Sequence, residues 1–297
     1  MKFRTEYIPA RGGTIDPGKP TVLLGSCFAD NLSERMRRCM WEAENPAGTL
    51  FNPLSISSAI EVMLMATGRT GGARTEAERL RRFEESLFER DGIWLSWLFN
   101  SKLHGSSKEE ICREFLERSR RLDTLLGKGE VLFVTFGTAW CYWLENDYLV
   151  ANCHKQPARL FERRRLTQKE IVDKWRGTLE LLRSLYPGLR IVFTVSPVRH
   201  LKDGFEGNKR SKALLLLAVE ELCESGDAEY FPAYEIVNDD LRDYRFYASD
   251  LVHPSEEAVE YLWEIFQATY IDEKGKSRLK EGESEYKRRN HRPLATI

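Results

Sequence analysis

Short apolar runs alternate with helical patterns along this chain of 297 residues. Residues 21–24, 131–136 and 191–195 are apolar, and each run is closed by Gly or by Ser-Pro. Such runs are typical of buried parallel strands. Apolar residues three or four positions apart predict helices in further segments: 28–40, 55–68, 76–90, 107–126, 167–185, 207–225 and 255–270. The alternation predicts an α/β protein with an open parallel sheet and helices on both faces.

The helices between the first two strands form an insertion, and the sequence ends in a charged segment. We expect one principal domain over residues 1–271, with a helical insertion at about 55–128 that sets specificity. Residues 272–297 hold eight basic and five acidic side chains with few apolar ones. This composition predicts a mobile or surface-wrapping tail.

Charge and cysteine usage exclude several classes of protein. The 45 basic and 46 acidic side chains nearly cancel, which argues against a nucleic-acid binder. The longest apolar run, residues 213–219, is too short to span a membrane. The first residues show no secretory signal, and the six cysteines lack the spacing of a disulfide framework. We therefore expect a cytoplasmic protein with reduced thiols.

Polar residues follow each predicted strand, at the edge where ligands bind in open α/β sheets. Ser26 follows the first strand, Gly137 the second, and residues 196–200 the third. Asp250 and His253 come before the last helix. A serine, an imidazole, a carboxylate and amide donors are the groups that acyl transfer requires.

Ser26 is the candidate nucleophile, because a serine at a strand-to-helix turn lies beside the positive end of the helix. The amide of Cys27 would then face a developing oxyanion. Alternatively, residues 25–26 only form a turn and an N-cap. The thiol of Cys27 is a rival nucleophile, although free cysteines are more often packed as small apolar groups.

His253 is the candidate general base and Asp250 the carboxylate that orients it. Their spacing lets the carboxylate bind one ring nitrogen and leaves the other for Ser26. Alternatively, they form an Asp-initiated turn with a surface histidine.

Residues 25–29 read Gly-Ser-Cys-Phe-Ala, and on this string the chain resembles the GSCFA family, whose members resemble the SGNH (GDSL-like) esterases and acyltransferases. Further segments are similar to that family: residues 51–55, 137–140, 151–155, 196–200 and 250–254. The resemblance implies a three-layer α/β/α, flavodoxin-like fold, with Ser26 as nucleophile, His253 as base and Asp250 as its partner.

The chain departs from the SGNH pattern at one position. Where those enzymes carry an oxyanion-hole Asn after the third-block Gly, this chain has Ala139 after Gly137. Asn152, or in second place Asn52, would have to supply the donor; either could also be a turn residue.

Other residues could line the cleft. Arg199 could bind an anionic substrate group, and His154 and His200 could add donors. Alternatively, Arg199 pairs with a carboxylate such as Asp203, and each histidine is a satisfied rim residue. Tryptophans at positions 94, 97, 140 and 143 could form an apolar or sugar-binding wall, or belong to the core.

We therefore expect a serine-dependent esterase acting on a small-molecule or glycan acyl ester through an acyl-enzyme on Ser26. An acyltransferase with the same triad and a catalytically silent ligand-binding protein are the alternatives. No metal ligand spacing and no nucleotide-binding loop occur, so we expect no metal and no cofactor.

Overall fold

The computed structural model describes residues 5–10, 12–72 and 75–290. Within them, five parallel strands form the main sheet, in the order β2–β1–β5–β9–β10. These strands are listed with their bounds: β1 (Thr21–Gly25), β2 (Ala43–Glu44), β5 (Val131–Phe136), β9 (Arg190–Val195) and β10 (Glu229–Tyr230). This is the flavodoxin-like order, in which β2 is added on one side of β1 and the later strands β5, β9 and β10 on the other.

Helices cover both faces of the sheet. Their bounds are α1 (Cys27–Arg38), α2 (Pro53–Ala66), α3 (Glu76–Glu84), α4 (Lys108–Lys128), α5 (Gln168–Leu185), α6 (Gly204–Cys223), α7 (Ala233–Glu235), α8 (Glu256–Tyr270) and α9 (Glu273–Asn290). Alternate side chains of one strand point to opposite faces. Accordingly, Leu132 packs with α2, α5 and α6, whereas Phe133 packs with α1 and α8. The predicted α/β fold with three layers is confirmed.

The expected insertion contains a hairpin as well as helices. After α3 the chain forms β3 (Leu87–Arg90) and β4 (Ile93–Ser96), which pair antiparallel. The prediction of one helix over 76–90 is therefore wrong beyond Glu84. The turn lies at Asp91 and Gly92, whose φ values are +53° and +77°, a conformation that Asp-Gly adopts readily.

A second small sheet follows β5. Its strands β6 (Trp140–Leu144), β7 (Tyr148–Val150) and β8 (Glu162–Arg165) are antiparallel, in the order β7–β6–β8. Cation–π contacts join its arginines to its aromatic rings, as between Arg163 and Trp140 at 4.2 Å. Arg163 also makes a bidentate ion pair with Asp203, at 2.5 Å to each carboxylate oxygen. Asp203 is thus bound by Arg163, and Arg199 has other partners.

The charged segment after residue 271 begins as a helix on the surface. Helix α9 packs against α1, where Leu279 is buried and Glu283 lies 3.6 Å from Arg35. Residues 291–297, the last part of the expected tail, lie outside the described residues. No helix in the described part of the chain is long and apolar enough to cross a membrane.

Candidate active site

Ser26 stands on a tight turn between β1 and α1. The amide of Ser26 donates to the carbonyl of Thr135 at 3.2 Å, which joins this turn to β5. Gly25 has φ +128°, and a Cβ atom there would lie 2.1 Å from the same carbonyl oxygen. Only glycine fits so close an approach of two backbones. The turn makes Ser26 the N-cap of α1.

The Ser26 hydroxyl faces the unpaired amides at the start of α1. Its Oγ accepts from the amide of Phe28 at 3.4 Å, and its carbonyl accepts from Ala29 at 2.8 Å. The first amides of a helix have no partner inside the helix. Neither of these two bonds uses the amide of Cys27. Ser26 itself has 0 % of its surface exposed.

Burial, and then the Asp30 carboxylate, raise the pKa of the Cys27 thiol above its usual range. The thiolate is the nucleophilic form of cysteine. Cys27 is thus a protonated thiol beside Ser26, and a protonated thiol is a poor nucleophile.

Residues 48–52 cross between the ends of β1 and β5. Leu50 donates its amide to the carbonyl of Gly25 at 2.8 Å. The carbonyl of Phe51 accepts from the amides of Gly137 at 2.8 Å and Thr138 at 3.0 Å. The Gly137 amide is therefore already bonded and is not a spare oxyanion donor.

Asn52 follows directly in this segment, as the N-cap of α2. Its Oδ1 accepts from the amide of Ser55 at 2.8 Å, which leaves Nδ2 as a donor. Asn52 is 4 % exposed. The contacts of residues 48–52 thus bring Asn52 to the turn that carries Ser26.

Gly137 lies between Ser26 and His200. A Cβ atom on Gly137 would be 3.2 Å from Ser26 Cβ and 3.4 Å from His200 Nε2. The His200 amide donates to Asn208 Oδ1 at 2.9 Å, and its ring meets Phe51 edge-on. His200 Nε2 is buried and without a hydrogen-bond partner among the described residues. Burial, with the nearby positive charges of Lys212 and His253, lowers the pKa of His200 to about 4, so this ring is neutral at pH 7.

Asp250 and His253 form a bonded pair on a loop between β10 and α8, which we call the site loop (residues 247–254). His253 Nδ1 lies 2.6 Å from Asp250 Oδ2, and Asp250 Oδ1 accepts the amides of Val252 and His253 at 2.9 and 3.0 Å. These amide bonds, and then the imidazole, lower the pKa of Asp250 to about 2. A carboxylate at Nδ1 holds the proton there and leaves the lone pair on Nε2. The two side chains are 49 % and 45 % exposed.

Arg199 braces the site loop. Its amide donates to the carbonyl of Val252 at 3.1 Å, and its guanidinium donates to the carbonyl of Leu251 at 3.4 Å. The guanidinium also lies 3.8 Å from the centre of the Tyr247 ring. Arg199 therefore connects the end of β9 to the loop that carries His253.

No hydrogen bond in the described part of the chain joins Ser26 Oγ to His253 Nε2. His200 lies between them in the following sense. The charge on His253 lowers the pKa of His200, and His200 Nε2 lies on the other side of Gly137 from Ser26. Catalytic hydrogen bonds are often long in unliganded enzymes and tighten when substrate binds.

Asn152 and His154 lie in the loop after β7. Asn152 Oδ1 accepts from the amide of His154 at 2.7 Å. His154 is 3 % exposed, and its Nδ1 and Nε2 contact Ser101 Oγ at 3.0 Å and the Ser96 carbonyl at 2.9 Å. Both ring nitrogens thus contact the end of β4 and the segment that follows it. None of these contacts connects Asn152 or His154 to Ser26.

Lys212 is a residue of this region that the sequence does not single out. It lies on α6 and donates from Nζ to the carbonyls of Gly137 and Ser196, both at 2.6 Å. Nearby, Ser211 Oγ accepts from the amide of Ala139. Ala139, which stands where SGNH enzymes carry the oxyanion-hole Asn, is fully buried. A lysine before a long apolar run on an amphipathic helix is the only signal in the sequence, and exposed lysines give the same pattern.

The described residues contain no cluster of three or more side chains arranged to bind a metal ion.

The fold and the site define an α/β protein of flavodoxin-like order with a serine at the end of its first strand. Residues 20–266 match the model of the GSCFA family, and the chain belongs to that family. No protein of curated function matches the sequence.

Two solved structures are similar at low levels. One is a carbohydrate esterase family 3 from Talaromyces cellulolyticus, with 9 % identity and a TM-score of 0.36, covering 89 % of this chain and 99 % of that one. Another has 18 % identity and a TM-score of 0.31, over 50 % of this chain and 67 % of its own. At these values neither neighbour assigns a reaction to this protein.

Proposed function

We propose that this protein is a serine-dependent hydrolase that cleaves an acyl ester of a small molecule or a glycan. The observation that carries the proposal is the Asp250–His253 contact of 2.6 Å, which leaves Nε2 of His253 free as a base. Family membership and the strand-end position of Ser26 support it.

In the first step, His253 Nε2 takes the proton of the Ser26 hydroxyl as Oγ attacks the ester carbonyl carbon. The Asp250 carboxylate stabilises the imidazolium that forms. Because Asp250 has a pKa of about 2, it is ionised throughout the pH range in which the protein would work.

The carbonyl oxygen becomes an oxyanion, which needs hydrogen-bond donors. The amide of Cys27 at the start of α1 is one donor, and the helix dipole favours negative charge there. Asn52 Nδ2 is the second donor we assign, in preference to Asn152, because residues 48–52 bond to Gly25 and Gly137 on either side of Ser26.

Collapse of the tetrahedral intermediate expels the alcohol, which takes its proton from His253, and leaves the acyl group on Ser26 Oγ. Water then attacks the acyl-enzyme with His253 again as base. The acid is released, and the proton returns to Ser26.

The experiment is intact-mass spectrometry after treatment with a fluorophosphonate, which phosphonylates an activated serine. We expect one adduct on the wild type and on Cys27→Ala, none on Ser26→Ala, and a slowed reaction in His253→Ala. An adduct that persists in Ser26→Ala would overturn the proposal.

A second candidate function is ligand binding without catalysis, favoured by the complete burial of Ser26 and by the absence of a bond from its Oγ to His253 in the described residues. A folded wild type that gains no adduct would support this candidate. With labelling established, hydrolysis of p-nitrophenyl esters with and without added alcohols distinguishes a hydrolase from an acyltransferase.

A further inference from the structure

Lys212 is a buried cation at the ends of two central strands. It is 1 % exposed, and its Nζ donates to the carbonyl of Gly137, just after β5, and to that of Ser196, just after β9. The two strands are neighbours in the sheet. Lys212 thus ties together two strand ends, and the one at Gly137 lies beside Ser26.

The charge of Lys212 has no carboxylate partner among the ion pairs of the described residues. Taking an ammonium group out of water is costly unless an opposite charge compensates it. Burial accordingly lowers the pKa of Lys212 to about 7. Two neutral carbonyls and the Tyr234 ring, 5.8 Å from Nζ, contact the ammonium but do not neutralise its charge.

In its protonated form, Lys212 acts on the residues around Ser26. It favours the thiolate form of Cys27, next to the nucleophile, and disfavours protonation of His200. Gly137, whose carbonyl Lys212 holds, approaches both Ser26 and His200. The ammonium is therefore close enough to Cys27 and His200 for its charge to act on both neighbours of Ser26.

We infer that Lys212 is a positioning residue of the Ser26 site, which fixes the Gly137 and Ser196 carbonyls and supplies positive potential beneath the oxyanion. This inference rests on the proposed acyl-enzyme function. Lys212 acts through Gly137 and through its field, without touching the substrate. Preorganised charge aimed at a developing oxyanion lowers the barrier without any requirement for tighter substrate binding.

The test measures fluorophosphonate labelling of Ser26 as a function of reagent concentration, which separates the maximal rate kinact from the half-saturating concentration KI. In Lys212→Met we expect kinact to fall roughly tenfold or more, with little change in KI. Lys212→Arg keeps a charge and donors for both carbonyls and should recover part of kinact.

Two control variants lie on the same helix. Lys209→Met removes an exposed lysine one turn away and should label at the wild-type rate. Ser211→Ala removes the buried bond to Ala139 without removing a charge, so it loosens the same contact between α6 and β5. It should lower the thermal midpoint while reducing kinact less than Lys212→Met does.

Labelling of folded Lys212→Met at the wild-type rate would overturn the inference and leave the proposed function intact. An equal loss of kinact in Ser211→Ala would also overturn it, because the effect would then be structural. A wild type that does not label at all would instead remove the proposed function.

A measurement on the wild type covers the case in which Lys212→Met does not fold. A buried ammonium group exchanges its protons slowly and is visible by NMR. Its 15N resonance should shift when Ser26 is phosphonylated, because the polarised phosphoryl oxygen of the adduct then lies where the oxyanion of an ester would form. An unchanged resonance in a fully labelled sample would contradict the inference.

Discussion

The two halves of the candidate site are built in opposite ways. Ser26, Gly137 and Lys212, which we call the site floor, are buried. The amides of Ser26 and Gly137 donate to backbone carbonyls, and Lys212 Nζ donates to the carbonyl of Gly137. The site loop carries Asp250 and His253 with nearly half of each side chain exposed. The proposed nucleophile is thus fully buried, whereas its proposed base is nearly half exposed.

This difference suggests a division of labour. The floor cannot adjust, because a single methyl group on Gly25 or Gly137 would contact backbone or Ser26. Since Ser26 has no exposed surface, a substrate carbonyl reaches it only after nearby groups move. We expect the half-exposed side chains of the site loop to move more readily than the buried floor.

The largest effect should come from the base on the site loop. His253→Ala should lower kcat for ester hydrolysis by roughly 10²- to 10⁴-fold, the usual contribution of general base catalysis. Asp250→Asn should leave a measurable residual activity, since members of a triad are not additive. Steady-state kinetics on a p-nitrophenyl ester measure both, and full activity in His253→Ala would remove this residue from the mechanism.

The next effect concerns the oxyanion donor beside the floor. Asn52→Ala should lower kcat by roughly 10²-fold, because one side-chain donor is lost where charge develops. Asn152→Ala is the matched control, with the same change in the loop after β7, and should stay near the wild-type rate. A larger loss of kcat in Asn152→Ala than in Asn52→Ala would show that Asn152 is the oxyanion donor.

A smaller effect is expected from the brace between floor and loop. The cation–π contact of Arg199 with Tyr247 is worth about 0.5–1 kcal/mol at a partly exposed site. Arg199→Ala should therefore lower kcat roughly two- to fivefold with little change in KM. A large rise in KM would instead show that Arg199 binds an anionic group of the substrate directly, the role that the sequence allows for it.

The smallest effect is a pH dependence of stability. The pKa of Asp250 is near 3.8 unfolded and about 2 folded, so its stabilising contribution is complete above about pH 4 and is lost as the pH falls to about 2. The thermal midpoint of the wild type should thus exceed that of Asp250→Asn at pH 6, and the gap should narrow toward pH 2. A difference in thermal midpoint that stays constant between pH 6 and pH 2 would show that ionisation of Asp250 does not cause it.

The sequence allowed the buried strands and long helices to be predicted, because their patterns are local. β2 and β10, of two residues each, carry no such pattern, and their pairing depends on the rest of the sheet. The β3–β4 hairpin was missed although Asp91-Gly92 is a strong hairpin signal, because charged helix-forming residues precede it.

For the site, the strand-end rule located Ser26, Gly137 and His200, because the topology of a parallel sheet brings such positions to one edge. The same rule favours Asn152 over Asn52 as oxyanion donor, because nothing in the sequence shows that residues 48–52 cross between β1 and β5. The burial of Lys212 likewise depends on how α6 packs, which no local pattern reveals.

The most direct test of the central claim, a buried serine served by an exposed base, is to trap the acyl-enzyme. The protein is mixed with p-nitrophenyl acetate, quenched in acid within seconds, and digested for peptide mass mapping. We predict an acetyl group on Ser26 in the wild type and in Cys27→Ala, and slower accumulation in His253→Ala. Acetylation of Cys27 in place of Ser26, or a folded wild type that releases nitrophenol with Ser26 unmodified, would contradict the account.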